Sequence, residues 1–410
     1  MSLTSHPFIR TLLGLRGNAR ACVYTEPLWG IPYNLYAPYA SIFMLTLGVK
    51  DSQIGLVASI GIAFQIFWTL MSGAITDKLG RKRATLIFDL ISWSIPCLVW
   101  AFSQNFTHFL IAAIINAMYR VPHNSWNCLL VEDTDPRLLV DVYSWVYISG
   151  QIVAFVSPLT GLLIGKFTLV PTIRGLYLLA FVMMTTKFLV LNAFATETQQ
   201  GVIRMEATRR QPLFAVLREM PDVLKQILRT PATLFTAGLM MLTNIGWMIS
   251  NTFWSIFVTE KLHIPAKHLA YYYFARSMVM LLFFFFVMPK LRNMEVRKPL
   301  LVGFSVLILS QIILISSPVE NYAVLLIATI FEACSVPIAT TFVDKLTVIT
   351  INPKERARIM AILWGMMLVV TSPFGWIAGQ MSEMNRSLPF ILNIVLFALG
   401  ALLSLLARSR

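Results

Sequence analysis

The chain has 410 residues, 57% of them hydrophobic and only 13% charged, with a mean hydropathy of +0.72 and a formal net charge of +14. Soluble domains carry roughly 25% charged residues, so this composition excludes a soluble enzyme and points to a polytopic, all-α integral membrane protein. A nucleic-acid partner is excluded too: it needs basic residues clustered on a soluble face, and here the cations fall in short loops between apolar runs.

A spanning helix needs about 20 mainly apolar residues. In chain order, twelve such spans are expected: about 22–47, 53–76, 84–103, 108–131, 139–165, 176–195, 232–259, 267–289, 299–317, 321–346, 359–381 and 388–406. Most connecting loops are short. The exception, 196–231, divides the chain into an N-terminal six-helix bundle (1–195), a linker, and a C-terminal six-helix bundle (232–410). Within the linker, Pro212–Arg229 places Leu213, Val216, Leu217, Val223, Leu224 and Ile227 at helical spacing opposite Arg218, Lys225 and Arg229. That pattern predicts an amphipathic helix on the membrane surface, interrupted at Pro221.

Of the 33 lysines and arginines, six lie in the loops on one side (Lys50, Lys166, Arg174, Lys261, Lys267, Arg386) and four inside spans (Arg120, Lys187, Arg276, Lys345). The rest lie in the termini and loops on the other side, which predicts both termini cytoplasmic. The N-terminus lacks the basic-then-apolar order of a cleaved signal peptide. Cys22, Cys97, Cys128 and Cys334 form no Cys-x-x-Cys pair, so neither a disulfide nor a metal site is predicted, and no cofactor. A membrane-embedded enzyme would need a metal cluster or a Ser/His dyad near one face, and His123 stands alone among the spans.

Between the second and third spans runs Gly73-Ala-Ile-Thr-Asp77-Lys78-Leu-Gly80-Arg81-Lys82-Arg83. This loop resembles the motif between helices 2 and 3 of major facilitator superfamily transporters: Gly73, Asp77, Lys78, Gly80, Arg81 and Lys82 match, while Ile75 and Thr76 stand where Leu and Ala are usual. The chain also repeats itself at an offset of 215 residues: Val121-Pro122 recurs as Val336-Pro337, Ser157-Pro158 as Ser372-Pro373, Gly150 as Gly365, and Lys82-Arg83 falls on Arg297-Lys298. Two parallel six-helix repeats with substrate bound at mid-membrane are the architecture of that superfamily. The second copy of the loop, Met288–Lys298, has lost its aspartate and glycines.

The resemblance implies that helices 1, 4, 7 and 10 line a central cavity. Those spans do carry polar stripes: Tyr33 and Tyr36; Asn116, His123 and Asn127; Asn244, Trp247 and Asn251; with Tyr147 and Gln151 added by span 5. Deep charges are costly, about 2.5–3.5 kcal/mol each on an insertion scale, which singles out Arg120, Lys187, Arg276 and Glu332. Two readings of Glu332 stay open. It pairs with Arg120 or Lys187 and locks the halves together, or it is a proton-coupling carboxylate, with Arg120 or Lys187 binding an anionic group or competing for it. The resemblance further implies a gate in which Asp77 caps the helix beginning near Ile359, Arg81 meets Glu132 or Asp133, and Gly73 lets helices 2 and 11 approach, with Gly80 in the turn.

The function expected is secondary active transport of a small organic solute by alternating access, proton-coupled. Gly150…Ser157-Pro158…Gly161, a frayed form of the antiporter motif of the family, tilts the reading towards efflux. Uptake of an anionic or sugar-like nutrient is the alternative; a sensor or lipid-handling role is the non-transporter one. The expected partners are the solute, protons and the lipid bilayer, for a monomer in the cytoplasmic membrane.

Overall fold

The computed structural model describes residues 12–135, 138–210, 212–213, 230–291, 294–350 and 356–406. Every regular element among them is helical. The helices are α1 (Gly17–Tyr36), α2 (Ala40–Thr46), α3 (Asp51–Leu79), α4 (Arg81–Asp89), α5 (Ile95–Ala101), α6 (Phe106–Asn116), α7 (Arg120–Val131), α8 (Leu139–Ala154) and α9 (Ser157–Phe167). They continue as α10 (Leu169–Phe194), α11 (Gln199–Thr208), α12 (Pro231–Ile256), α13 (Ala266–Phe286), α14 (Met288–Leu291), α15 (Arg297–Ile315), α16 (Tyr322–Thr350), α17 (Arg356–Met384) and α18 (Leu388–Leu406). A π-helical turn, Leu90–Ser94, joins α4 to α5, and a second, Phe257–Lys261, extends α12.

Among the described residues nine helices, taken through the π turns, are long and apolar enough to cross a membrane. They answer the second, third and sixth to twelfth expected spans. The other three expected spans are broken into shorter pieces, α1/α2, α6/α7 and α8/α9. Proline explains the positions of the breaks. Pro38 sits in the 3₁₀ turn Ala37–Tyr39. Pro122 and Pro158 lie four residues beyond Met118 and Ala154, where the pyrrolidine ring crowds the carbonyl and removes an N–H. Met118 falls in the 3₁₀ turn Ala117–Tyr119, and Ala154 ends α8. Large apolar side chains point outward along the spans, including Phe102, Phe194 and Phe286, the exterior that a bilayer rather than water would cover.

The helices gather into two compact units. The first comprises Met1–Ala37, Phe64–Val156 and Pro171–Glu219; the second comprises Pro38–Ala63, Ser157–Val170 and Met220–Arg410. In the first, α1 packs on α7 and α8, and α4 on α7. In the second, α15 packs on α16 and α18, α12 on α16, α17 and α18, and α13 on α9 and α16. This grouping differs from a division at the linker, because 38–63 and 157–170 join the C-terminal helices. Glycine is the reason at α3: a Cβ on Gly55 would overlap the carbonyl oxygen of Gly375 and crowd Gly379 on α17. The contact is sealed by Ser59, whose hydroxyl accepts from the Trp376 N–H (2.7 Å) and whose carbonyl accepts from the Ser372 hydroxyl (3.1 Å). The described part of the linker holds α11; the amphipathic helix expected over 212–229 lies, beyond Leu213, outside the described residues.

Candidate functional site

At one end of the first unit the glycine-and-basic loop forms a closed electrostatic knot. Gly80 takes φ +83°, a left-handed value open to glycine, and lets α3 turn directly into α4. Arg81 then points back inside, 5% exposed. Its Nη1 donates to Asp77 (2.9 Å), and its Nε and Nη2 fork onto Glu132 (3.1 and 3.0 Å). The other Asp77 oxygen accepts from Arg204 of α11 (2.7 Å). Glu197 places its carboxylate at the start of α4, accepting from the backbone N–H groups of Arg81 and Lys82 (2.8 and 3.1 Å), where the positive end of the helix dipole favours an anion. Thr198 donates to Glu132. Asp133 accepts at longer range from Asn18 and from the Gln199 N–H.

This arrangement brings Arg81 to Glu132. Asp77 goes to Arg81 and Arg204, while the residues just before Arg356, where the helix near Ile359 begins, lie outside the described ones. Within the second unit the tight glycine crossing of α3 on α17 falls at Gly55. Glu197, Thr198 and Arg204 were missed because they follow the sixth span in sequence. Their one signal is that this acid and hydroxyl sit where a loop returns to the membrane surface.

Deeper in the first unit Lys187 of α10 is 5% exposed and donates to Glu26 of α1 at 2.8 Å. The rings of Trp29 and Trp126 lie 5.8 and 5.6 Å from its nitrogen. Buried Asp89 lies within electrostatic reach of both charges. Among the described residues Arg120 pairs with no carboxylate: its Nε and Nη2 both donate to the amide oxygen of Gln65 (3.0 and 2.9 Å), which also accepts from the Tyr119 hydroxyl (3.2 Å). Tyr33 stacks on Trp29, with centroids 4.7 Å apart. Tyr36, expected in the cavity, is 3% exposed and packed against Trp100 and Tyr177. Asn116 donates to the Ser92 carbonyl of the π turn (2.7 Å), a local repair rather than an open amide. His123 is exposed, and Asn127 donates to its carbonyl. The side chains of Tyr147 and Gln151 lie outside the described ones.

In the second unit Glu332 of α16 is 7% exposed and pairs with Arg276 of α13 at 3.2 Å. Trp254 and Tyr273, rings 5.1 Å apart, line the same enclosure. The expected partners Arg120 and Lys187 lie in the first unit, on Gln65 and Glu26. A cavity of about 230 Å³ opens beside this pair, lined by Glu332, Asn244, Trp247, Gln311, Asp344 and Trp364 among others. Asn251 is exposed and lines the smaller enclosure on the Arg276 side. At the far end of the same unit, Asp51 is buried at the start of α3. It accepts from the Ser382 hydroxyl (2.6 Å) and lies 3.5 Å from Arg386, which reaches Glu260 at 3.7 Å. Sequence reading placed Arg386 in a loop and did not foresee its partner.

Helices long enough to span a bilayer, with buried ion pairs and a cavity that sets a few polar groups in a mostly apolar wall, fit a multi-pass membrane transporter of small solutes. The chain belongs to the Major Facilitator Superfamily, whose family model matches residues 30–375. Its fold is similar to that of the nucleoside transporter NupG in a mutant form, with a TM-score of 0.72 at 14% identity over 95% of this chain and 99% of that one. It is similar as well to a POT family transporter in complex with 5-aminolevulinic acid, with a TM-score of 0.70 at 12% identity over 95% of this chain and 94% of that one. At these identities the likeness is one of fold. A comparison with curated proteins returned no match.

Proposed function

We propose that the protein is a secondary active transporter that exchanges a small organic solute for protons by alternating access. In this reading Glu332 is the proton-coupling carboxylate and Arg276 the cation that holds it charged between cycles. The observation that carries the reading is the Glu332–Arg276 pair, sequestered from water at 3.2 Å beside a solute-sized cavity. A buried carboxylate is stable as an anion only while its cation is in place. Protonation of Glu332 releases Arg276, and re-formation of the pair expels the proton, so occupancy of the cavity and proton binding compete for one group. The break between α8 and α9 at Ser157-Pro158, within the antiporter-like stretch, supports antiport. The knot around Arg81 is the gate, and the whole is a monomer of twelve spans in the cytoplasmic membrane, with both termini inside.

The test is proton flux in proteoliposomes loaded with candidate solutes. Glu332→Gln is expected to retain solute counterflow while losing solute-driven proton movement. Transport by that variant that still follows an imposed pH gradient would falsify the coupling role. Proton entry with the solute instead of against it turns the reading to symport.

A further inference from the structure

The cavity beside Glu332 is lined by a carboxylate and an amide oxygen that have no partner among the described residues. Glu332, Thr340 and Asp344 follow one another down one side of α16, spanning about 18 Å at 1.5 Å per residue. Glu332 is buried at one end; Asp344 is exposed at the other and forms no ion pair with a described residue. The hydroxyl protons on this wall are already committed: Thr340 donates to the Val336 carbonyl and Thr243 to the Leu239 carbonyl, each at 2.8 Å. Both therefore offer the cavity lone pairs only. Gln311 is 1% exposed, lines the cavity, and its Oε1 has no hydrogen-bond partner. A buried carbonyl oxygen left unpaired costs about 1–3 kcal/mol, so this one is an acceptor waiting for a donor. The lining holds donors too: the amide N–H₂ of Asn244, whose oxygen is taken by Thr371 (3.2 Å), the Ser250 hydroxyl, which accepts from Asn393, and the indole N–H groups of Trp247 and Trp364. The apolar part of the lining includes the indoles of Trp247 and Trp364, both exposed.

From this we propose that the cavity of the second unit binds a small organic ammonium ion with an apolar or aromatic body. The ammonium would enter at Asp344 and be drawn towards Gln311 and Glu332, with its body against the two indoles. An ammonium supplies a charged donor for the unpaired Gln311 oxygen and a counter-charge for Asp344. Its charge is matched by Asp344, because Arg276 already offsets Glu332, and indole faces add attraction for a cation. An anion meets two carboxylates and a bare carbonyl, and a neutral alcohol brings one donor and no charge. The inference rests on the transporter reading and deepens it, since ammonium and proton would compete for the same carboxylates.

The test is isothermal titration of the purified full-length protein with three probes that share a phenylethyl body: 2-phenylethylamine, 2-phenylethanol and 3-phenylpropionate. The amine is expected to bind at least about tenfold tighter than either of the others. Asp344→Asn, a change at an exposed position, is expected to weaken the amine about tenfold, the loss of a charge-assisted contact. Gln311→Met should weaken it several-fold while leaving the unliganded protein at least as stable, since the unpaired acceptor is removed. Equal affinity for 3-phenylpropionate, or amine binding unchanged in Asp344→Asn, overturns the proposal. Flux measured with the same amine separates the two readings. An amine that binds at Asp344 but is never carried by proteoliposomes keeps the site and removes the transporter reading. A carried solute that neither needs Asp344 nor competes with the amine does the reverse.

Discussion

Lys187→Met probes the deepest ion pair in the first unit. The lysine Nζ and Glu26 Oε2 are 2.8 Å apart, with 6% and 16% of their side chains exposed, so solvent screens the pair little. Removing the cation leaves Glu26 facing Asp89 in a site that water hardly reaches, and breaking a buried pair from one side costs about 3–5 kcal/mol. Glu26→Gln strands the lysine among Trp29 and Trp126 and should cost somewhat less, because Asp89 still offers it a counter-charge. The double variant leaves only Asp89 without its cation and should recover part of the loss. The coupling energy should then be about 1–3 kcal/mol, the range for residues in direct contact. The assay is reversible unfolding in mixed micelles for all four forms, followed by circular dichroism. If the two single losses simply add in the double variant, the pair is not interacting and the reasoning fails.

Gly55→Val drives a branched side chain into the backbone of α17 at Gly375. The cost should exceed the usual 1–3 kcal/mol of overpacking, since backbone cannot yield as a side chain does; a thermal transition within a degree or two of the parent would refute it. Ser59→Ala, which leaves the Trp376 N–H without its side-chain acceptor, should cost about 1 kcal/mol in the same assay. Arg81→Lys preserves charge but not the fork that reaches Asp77 and Glu132 together. Solute counterflow should fall at least about tenfold with expression retained; wild-type flux would remove the knot from the gate. Asp77→Asn should slow cycling far more than Glu295→Gln, because Asp77 binds two arginines whereas Glu295 sits in the degenerate copy of the loop. Initial rates of counterflow compare the two.

Composition and periodicity determined the membrane-embedded helical class. The loop Gly73–Arg83 and the 215-residue repeat pointed to the superfamily, because those signals are local and additive. They also singled out the deep charges, since a charge within an apolar run is conspicuous whatever it pairs with. Pairing was decided by tertiary structure alone. Glu332 goes to Arg276 and Lys187 to Glu26, because which helix faces which is set by side-chain packing that no single stretch encodes.

The repeat itself shows the limit most directly. Val121-Pro122 and Ser157-Pro158 break their helices, whereas their copies Val336-Pro337 and Ser372-Pro373 lie inside the unbroken α16 and α17. A proline removes the same N–H and crowds the same carbonyl in every case. Continuity depends on what surrounds the freed backbone, since in an apolar medium neighbouring hydroxyls and helices must re-satisfy it. Beside Pro373, Ser59 of another helix accepts twice, at its hydroxyl from the Trp376 N–H and at its carbonyl from the Ser372 hydroxyl. The proline can be read from the sequence, but only the fold brings Ser59 to it.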